Sequence, residues 1–337
     1  MNIKELIKEL SNSVCIGNIN KASLISKKEL SKYASVSDFG TLGVIGKINK
    51  GASRTLLLDA HIDEVGFVVT SVFDDGFVKV SAVGGIDARI LPALPIIIHG
   101  KKDCPAIFIS TPPHLAKDEK EAKDINDIYL DTGLGSKAND FITAGDFCTF
   151  DKNAEDLNGT RLSGKAFDDR TAVACLIEVA SRIYNKDIPF NVIISIAENE
   201  ELGMRGAKTS SFEMNCDEAI ALDVSFGDAP DVSSSKSGKL GKGAMIGVSP
   251  VLNKNISKKL QKIGDEKNIP YQLEVMGGTT GTDADVISIS KSGVPCGLIS
   301  IPLRNMHTPC EVVDLNDIKS VCDLLEEYIL SGGSIND

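Results

Sequence analysis

The sequence predicts an α/β protein: a central mixed sheet flanked by helices, with a β-rich segment inserted into it. Three observations carry that expectation. Short strands apolar on both faces recur at 55–60, 191–197, 218–222 and 296–301. Helical periodicity separates them, and from about 68 to 159 the composition shifts to Val, Ile, Gly and Asp with tight-turn signals. Strands lacking polar alternation belong to a sheet covered by helices on each side, whereas short runs between turn signals suggest antiparallel strands. The predicted organisation is therefore a first segment 1–67, an insert 68–159 and a second segment 160–337 of the same α/β domain.

The first segment opens with Met1-Asn-Ile-Lys-Glu-Leu-Ile-Lys-Glu-Leu10, where charged and apolar residues follow helical spacing. A secretory leader needs an unbroken apolar stretch, so none is expected here. Thr55-Leu-Leu-Leu-Asp-Ala60 then reads as a strand and runs straight into His61-Ile-Asp63-Glu64. Within the insert, Asp74-Asp-Gly76, Gly84-Gly85 and Thr143-Ala-Gly-Asp-Phe147 mark turns, and the charged tract 116–127 reads as a helical surface excursion. In the second segment, Ala172, Cys175, Leu176, Val179, Ala180 and Ile183 recur at intervals of 3,1,3,1,3. That spacing puts them on one helix face. Asp168 and Asp169 precede that helix where capping acids belong. The remaining strands each end in chemistry: 191–197 in Glu198-Asn-Glu-Glu201, 218–222 in Asp223, and 296–301 toward Arg304 and His307.

Composition narrows the classes of partner. A chain of 337 residues exceeds one ordinary core, so two domains are expected. The 36 Lys plus Arg against 47 Asp plus Glu leave a net charge of −11. That balance excludes nucleic acid and anionic membrane as expected partners. The longest uncharged apolar stretch, 90–98, carries two prolines and is too short to span a bilayer. The eight cysteines include no Cys-x-x-Cys pair and read as reduced, mostly buried thiols of a cytoplasmic protein.

Ligands in open α/β sheets bind beyond the carboxyl ends of the strands. Here those ends present His61, Asp63, Glu200, Glu201, Asp223 and His307, and Asp168 joins them from a helix start. Two imidazoles with several carboxylates suit a divalent ion such as Zn²⁺, Co²⁺ or Mn²⁺ rather than a thiolate-held structural zinc. Residues two apart on an extended chain face one way, so Asp63 can accept the second ring N–H of His61. Each residue alone has an ordinary explanation as a cap, a turn acid or a loop histidine; their recurrence at one edge of the sheet argues for a site. His99 and His114 fall inside the insert, away from that edge, and read as structural or surface residues. Gly238-Lys-Leu-Gly-Lys-Gly243 lacks the order of a phosphate-binding loop, and no Gly-x-Ser-x-Gly elbow occurs.

At these residues the chain resembles the glutamyl and tetrahedral aminopeptidases, dinuclear-metal enzymes of metallopeptidase clan MH. The resemblance runs from Asp59 to about Asp317. It rests on Asp59-Ala-His-Ile-Asp-Glu-Val-Gly66, Gly84-Gly-Ile-Asp87, Gly164-Lys-Ala-Phe-Asp-Asp-Arg170, Glu200-Glu-Leu-Gly-Met-Arg-Gly-Ala207, Ala221-Leu-Asp223, Gly281-Thr-Asp-Ala284 and Arg304-Asn-Met-His307. It implies a zinc-aminopeptidase-like catalytic domain with a PDZ-like, barrel-type dimerisation domain inserted into it. It also implies two divalent metal ions per subunit, bridged by Asp168, with His61 and Asp223 completing one site and Glu201 and His307 the other. Asp63 would orient His61, and Glu200 would act as the general base in removing N-terminal residues from short peptides. Members form dimers, and many form tetrahedral dodecamers. The chain departs from the family pattern at Asn199, where Gln is usual, at Asn305, where Tyr is usual, and at Cys15-Ile-Gly-Asn18 in place of a Gly-Ser-Gly element. None of these positions is a proposed ligand, so the departures bear on substrate preference rather than on metal chemistry.

Three rival readings compete with this one. Members of this family often carry an endoglucanase label, and Glu200 with Asp223 would make a carboxylate pair for glycoside hydrolysis. Against that, the chain has no Trp and five Tyr, few platforms for stacking a sugar, and such chemistry leaves the two histidines unexplained. A deacylase or carboxypeptidase on a related metal site is distinguished by its demand on the substrate terminus. A silent assembly protein is disfavoured because every proposed ligand and the base are present.

Overall fold

Thr55–His61 lies near the middle of an eight-stranded mixed sheet in the computed structural model, which describes residues 2–40, 42–112, 114–115 and 124–334. From one edge to the other the order is Tyr271–Val275, Ala244–Val248, Cys296–Leu303, Glu218–Phe226, Thr55–His61, Asn191–Ala197, Gly43–Ile48 and Ser35–Asp38. The three central strands Glu218–Phe226, Thr55–His61 and Asn191–Ala197 are mutually parallel, and Cys296–Leu303 continues the parallel set. Antiparallel pairs flank them at Gly43–Ile48 and Ala244–Val248.

Both faces of this sheet are covered, as the unbroken apolar strands require. Leu56, Leu58, Ile194, Ile196, Ile220 and Leu222 pack into one core with the helices Ile3–Asn12, Phe167–Ile183, Lys254–Lys267 and Leu315–Leu330. Leu57, Ile193, Ala219 and Ala221, pointing the other way, pack with Arg205–Glu213 and Ala284–Ser288. Hydrophobic residues thus fill both phases of the period-2 alternation over most of each strand, interrupted by the buried Asp59 and Ser195.

The helix expected over 169–183 forms as Phe167–Ile183, but it is buried all round rather than on one face. Val173, Ala174 and Ile177 are as inaccessible as Ala172, Leu176 and Val179. The reason is tertiary: the sheet lies on one side, and Ile3–Asn12, Lys21–Leu30 and Leu315–Leu330 lie on the others. Nor do the two aspartates cap it. Its N-cap position is Ala166, with no side-chain cap, and Asp168 and Asp169 sit inside the first turn with non-helical backbone and a cis peptide bond between them. Their carboxylates are used elsewhere.

The β-rich segment forms a closed six-stranded barrel. Going round it, the strands are Tyr129–Asp131, Phe77–Val83, Gly66–Val72, Phe147–Phe150, Pro95–His99 and Asp103–Phe108, which pairs back to Tyr129–Asp131. Every pair is antiparallel. Alternate residues point inward, with Phe67, Val78, Val80, Ile96, Ile98, Phe108 and Leu130 filling a separate core. The Phe67 ring lies edge-on to Phe108 with centroids 5.0 Å apart. It lies edge-on to Phe150 with centroids 5.7 Å apart. Edge-to-face packing of this kind aligns the positive rim of one ring with the negative face of the next. After Phe150 the chain rejoins the α/β part, where Glu155–Asp156 and Arg161–Gly164 form a three-stranded sheet with Glu311–Asp314. Most of the charged tract 116–127 lies outside the described residues; its end is a 3₁₀ turn, Ile125–Asp127, capped by Asp124.

All eight cysteines are free thiols, and six are buried. No helix among the described residues is long and apolar enough to cross a membrane.

Candidate metal centre

The candidate residues converge beyond the carboxyl ends of the parallel strands, where such sheets offer a crevice. His61 is the last residue of Thr55–His61, and Asp63 follows two positions on. Glu200 and Glu201 lie in the turn between Asn191–Ala197 and Arg205–Glu213, and His307 lies in the loop between Cys296–Leu303 and Glu311–Asp314. Asp223, expected at a strand end, sits instead inside Glu218–Phe226, which runs on because Ser225 and Phe226 still pair with Pro302 and Leu303. On its other side the pairing to Thr55–His61 stops at Ala221, so Asp223 faces the opening left between the two strands.

Asp168 is the centre of the arrangement. One of its oxygens, Oδ1, lies 3.1 Å from His61 Nε2, and the other, Oδ2, lies 3.2 Å from His307 Nε2. His307 Nε2 is also 3.1 Å from Glu201 Oε1. Donor atoms of Asp168, Glu201 and His307 all fall within 4.8 Å of one another, as do those of His61, Asp169 and Asp223 and those of His61, Glu200 and Glu201. All of these residues except Asp169 line a cavity of about 560 Å³.

The donor set fits divalent cations on three grounds. Ligand atoms held about 2.0–2.2 Å from a shared ion stand roughly 3–3.5 Å apart, the spacing found around Asp168. The Nδ1 of His307 lies 2.6 Å from the Gly85 carbonyl, which can only accept. Nδ1 therefore donates, which leaves Nε2 as the ring atom facing the two carboxylates and free to give its lone pair to a cation once its proton is displaced. A divalent cation between them would take the place of that proton and bind all three groups at once. Thirdly, Oδ1 of Asp169 and Nδ1 of His61 are buried without a hydrogen-bond partner, beside the buried carboxylates of Asp168 and Asp223. A buried excess of carboxylate over imidazole is unstable without a compensating positive charge.

The electrostatics express the same excess. Burial opposes charging of His307, but the carboxylates of Asp168 and Glu201 outweigh it and push the imidazole up to about 11. His61 is likewise raised well above its usual value, because Asp168 and Asp63 overcome its burial. For Asp168 burial acts upward, and contact with both imidazoles overrides it to hold the carboxyl below the ordinary range. Asp223 and Asp169 are raised well above theirs, by burial first and then by neighbouring carboxylates. Glu200 is pushed up to about 7 by burial; His61 opposes this, and Glu201, Asp168 and Asp63 add to it. A carboxylate near neutrality is matched to taking and returning a proton.

Asp63, expected to orient His61, makes its firm contacts elsewhere. It stands 3.5 Å from His61 Nδ1, too long for a firm hydrogen bond. Its two oxygens instead accept the backbone N–H groups of Glu200 at 3.1 Å and Glu201 at 3.3 Å. It therefore fixes the turn carrying both glutamates. Glu311, which sequence reasoning passes over, does the same for the opposite wall: it accepts from the backbone N–H of His307 at 2.9 Å, Phe167 at 2.7 Å and Asp168 at 3.2 Å. That contact holds His307 at a φ of 61°. This is a left-handed conformation, uncommon for a residue with a side chain. Asp169, which reads as a cap in the sequence, also belongs to the site; its Oδ2 accepts the backbone N–H of His61 at 3.3 Å. Glu311 is a lone acid four residues past His307, with no local pattern to mark it. His99 is tied by hydrogen bonds to Asp103 and Thr149 within the barrel, and His114 is exposed, so neither joins the cluster.

Comparison with known proteins places the fold and the family. A lysyl aminopeptidase of Pyrococcus furiosus is 30% identical over 287 residues, covering 83% of this chain and 82% of that protein. Among solved structures, an aminopeptidase of the archaeon Desulfurococcus kamchatkensis superposes with a TM-score of 0.91 at 29% identity, covering 98% of this chain and 95% of that one. The TET1 peptidase of Pyrococcus horikoshii, described as assembling into a tetrahedron or a large octahedral shell, superposes with a TM-score of 0.85 at 28% identity, covering 98% and 99%. The sequence profile of the M42 glutamyl aminopeptidases matches residues 43–324. The chain is a member of that family of peptide hydrolases.

Proposed function

We propose that the protein is a dinuclear metallo-aminopeptidase that releases N-terminal residues from short peptides. One observation carries this reading: two imidazoles approach the two different oxygens of one buried carboxylate, Asp168, which suits a group shared between two ions. His61 and Asp223 would complete one ion's shell, and Glu201 and His307 the other's. Two divalent cations held there, Zn²⁺ or Co²⁺ or else Mn²⁺, would polarise the peptide carbonyl and acidify a water at neutral pH. Glu200 takes the proton from the attacking water and later delivers it to the leaving amine. Asp63 holds the Glu200–Glu201 turn so that base and ligand keep their separate positions. The acidic lining of Glu200, Glu201 and Asp223 supplies a binding place for a free α-ammonium, which makes the action exopeptidic.

The test combines chelation with a matched substrate pair. Hydrolysis of a free-amine peptide should be lost in chelator, return with Zn²⁺ or Co²⁺, and be absent for the N-acetylated twin. Peptide hydrolysis that persists after complete metal removal, or equal cleavage of both twins, would refute the reading.

The barrel is proposed as the assembly module of a homo-oligomer, a dimer or a larger tetrahedral particle. It keeps its own core, yet Ile107 is 52% exposed and Ile109 is 41% exposed, two residues apart on and just beyond the strand Asp103–Phe108. Exposed apolar side chains grouped in this way mark surfaces that a partner covers. Changing both to Lys should reduce the particle mass seen by light scattering. An unchanged mass would move the contact elsewhere.

A further inference from the structure

The cavity beside the metal cluster contains a carboxylate that the mechanism does not use. Glu274 lies on the edge strand Tyr271–Val275, and its side chain reaches over the neighbouring strand to two serines. One of its oxygens accepts from the Ser225 hydroxyl, and the other accepts from the Ser300 hydroxyl at 2.7 Å. Ser300 is the cross-strand partner of Asp223, and Ser225 is two residues beyond Asp223 on the same strand. Both serines therefore share the sheet face of Asp223, with Ser225 about 7 Å farther along. Glu274 and Ser225 line the same cavity as His61, Asp168, Glu201 and His307.

Among the described residues this carboxylate has no positive partner. Burial is the largest influence on it and raises its pKa, while the two hydroxyls are what hold its charged form; no cationic side chain contributes. Lys236, which also lines the cavity, is exposed and does not act on it. A mostly buried carboxylate with neutral donors only is under-compensated, and it gains most from a cation arriving from the cavity. The walls leading to it include Met245, Leu273 and Met276. Flexible apolar surfaces of that kind suit the methylene stem of a long cationic side chain whose charged head lies beyond.

We propose that Glu274 sets substrate choice by receiving the cationic side chain of an N-terminal lysine or arginine. The proposal rests on the aminopeptidase reading for the position of the scissile end, near Asp223. The four-carbon stem of lysine is suited to the offset between Asp223 and the serine pair. Ser225 and Ser300 keep the carboxylate aimed inward.

The experiment uses the full-length, metal-loaded protein in two parallel measurements. In the first, kcat/KM is compared for chromogenic lysyl, arginyl and norleucyl substrates, norleucine being a lysine-like chain without the charge. Lysyl and arginyl turnover should exceed norleucyl by at least ~10-fold, and Glu274→Gln should remove that advantage while changing norleucyl turnover by less than ~3-fold. In the second, binding of free L-lysine and L-norleucine is measured by calorimetry, which needs no turnover. Lysine should bind at least ~10-fold more tightly than norleucine in the wild type, and equally in Glu274→Gln. If lysine preference in binding is present but no aminoacyl substrate is hydrolysed, the cationic pocket stands and the aminopeptidase reading falls. If lysine binds no better than norleucine, or Glu274→Gln weakens all ligands alike, Glu274 does not read the side chain and the proposal is overturned. Unchanged norleucine binding in the variant shows that the cavity is still formed.

Discussion

Glu200→Gln should leave the protein with its full metal content and almost no turnover. The amide keeps the shape of the side chain and can still occupy the cavity wall, but it cannot take a proton from water. Because general-base catalysis contributes roughly 10²–10⁴-fold, kcat should fall by at least that order. The neighbouring change should behave differently. Glu201 Oε1 lies 3.1 Å from His307 Nε2 and belongs to the donor group of Asp168 and His307. If Glu201 is the ligand proposed above, Glu201→Gln removes its charge, so metal should be lost or weakly held and activity should partly return in excess metal. Excess metal should not rescue Glu200→Gln, since no cation replaces a missing base. Metal analysis of both variants beside steady-state rates decides the matter. A metal-poor Glu200 variant with a metal-replete Glu201 variant would exchange the two assignments, and two fully active variants would remove the dinuclear peptidase reading altogether.

The adjacent glutamates can be singled out from sequence because their signal is local. An apolar strand ending in Glu198-Asn-Glu-Glu201 announces where the acids must emerge, and the same holds for His61 and Asp63 after 55–60. The fold is legible for a related reason. Strands with no polar face can exist only between two layers, and Leu56, Leu57 and Leu58 do alternate between two cores. What stays hidden depends on contacts distant in sequence. Asp223 looks terminal because the apolar run stops there, yet backbone pairing to Pro302 and Leu303 carries the strand onward. Asp169 looks like a cap because it opens a helix; its use by the backbone of His61 follows only once the strand and helix are packed together. Glu311 and Glu274 are single acids with no neighbours of their kind, and they gain meaning only from the backbone amides and hydroxyls the fold brings to them. Closure of the barrel through Tyr129–Asp131 and Asp103–Phe108 joins strands separated by the charged tract, so no turn chemistry signals it.

Arg170→Met should cost the fold about 3–5 kcal/mol, a loss larger than its apolar, similar-sized replacement would suggest. Arg170 is fully buried beneath the site, where its guanidinium donates to the carbonyls of Leu10 at 2.6 Å, Ile62 at 3.2 Å and Ser13, and to Glu64 Oε1 at 2.7 Å. It thereby caps the C-terminal end of the helix Ile3–Asn12, ties that helix to Phe167–Ile183, and neutralises Glu64. Burial pushes the Glu64 carboxyl up, but Arg170 and Lys165, the latter at 2.5 Å, overcome this and hold it ionised. Methionine fills the space but removes the guanidinium donors from the carbonyls of Leu10, Ser11, Ser13 and Ile62, of which Leu10 keeps the Ser13 backbone N–H, and leaves Glu64 with a single cation. Double replacement separates these contributions. If most of the loss comes from the stranded carboxylate, Glu64→Gln in the Arg170→Met background should recover part of it, so that the two changes together cost less than their sum. If instead the carbonyl contacts dominate, the losses should add. Denaturant midpoints of the wild type, the two single variants and the pair, at one fixed protein concentration, give the comparison. A single-variant loss below about 1 kcal/mol would be no more than an ordinary substitution costs. It would mean that the N-terminal helix is held by its apolar face, Leu6, Ile7 and Leu10, and not by this buried cation.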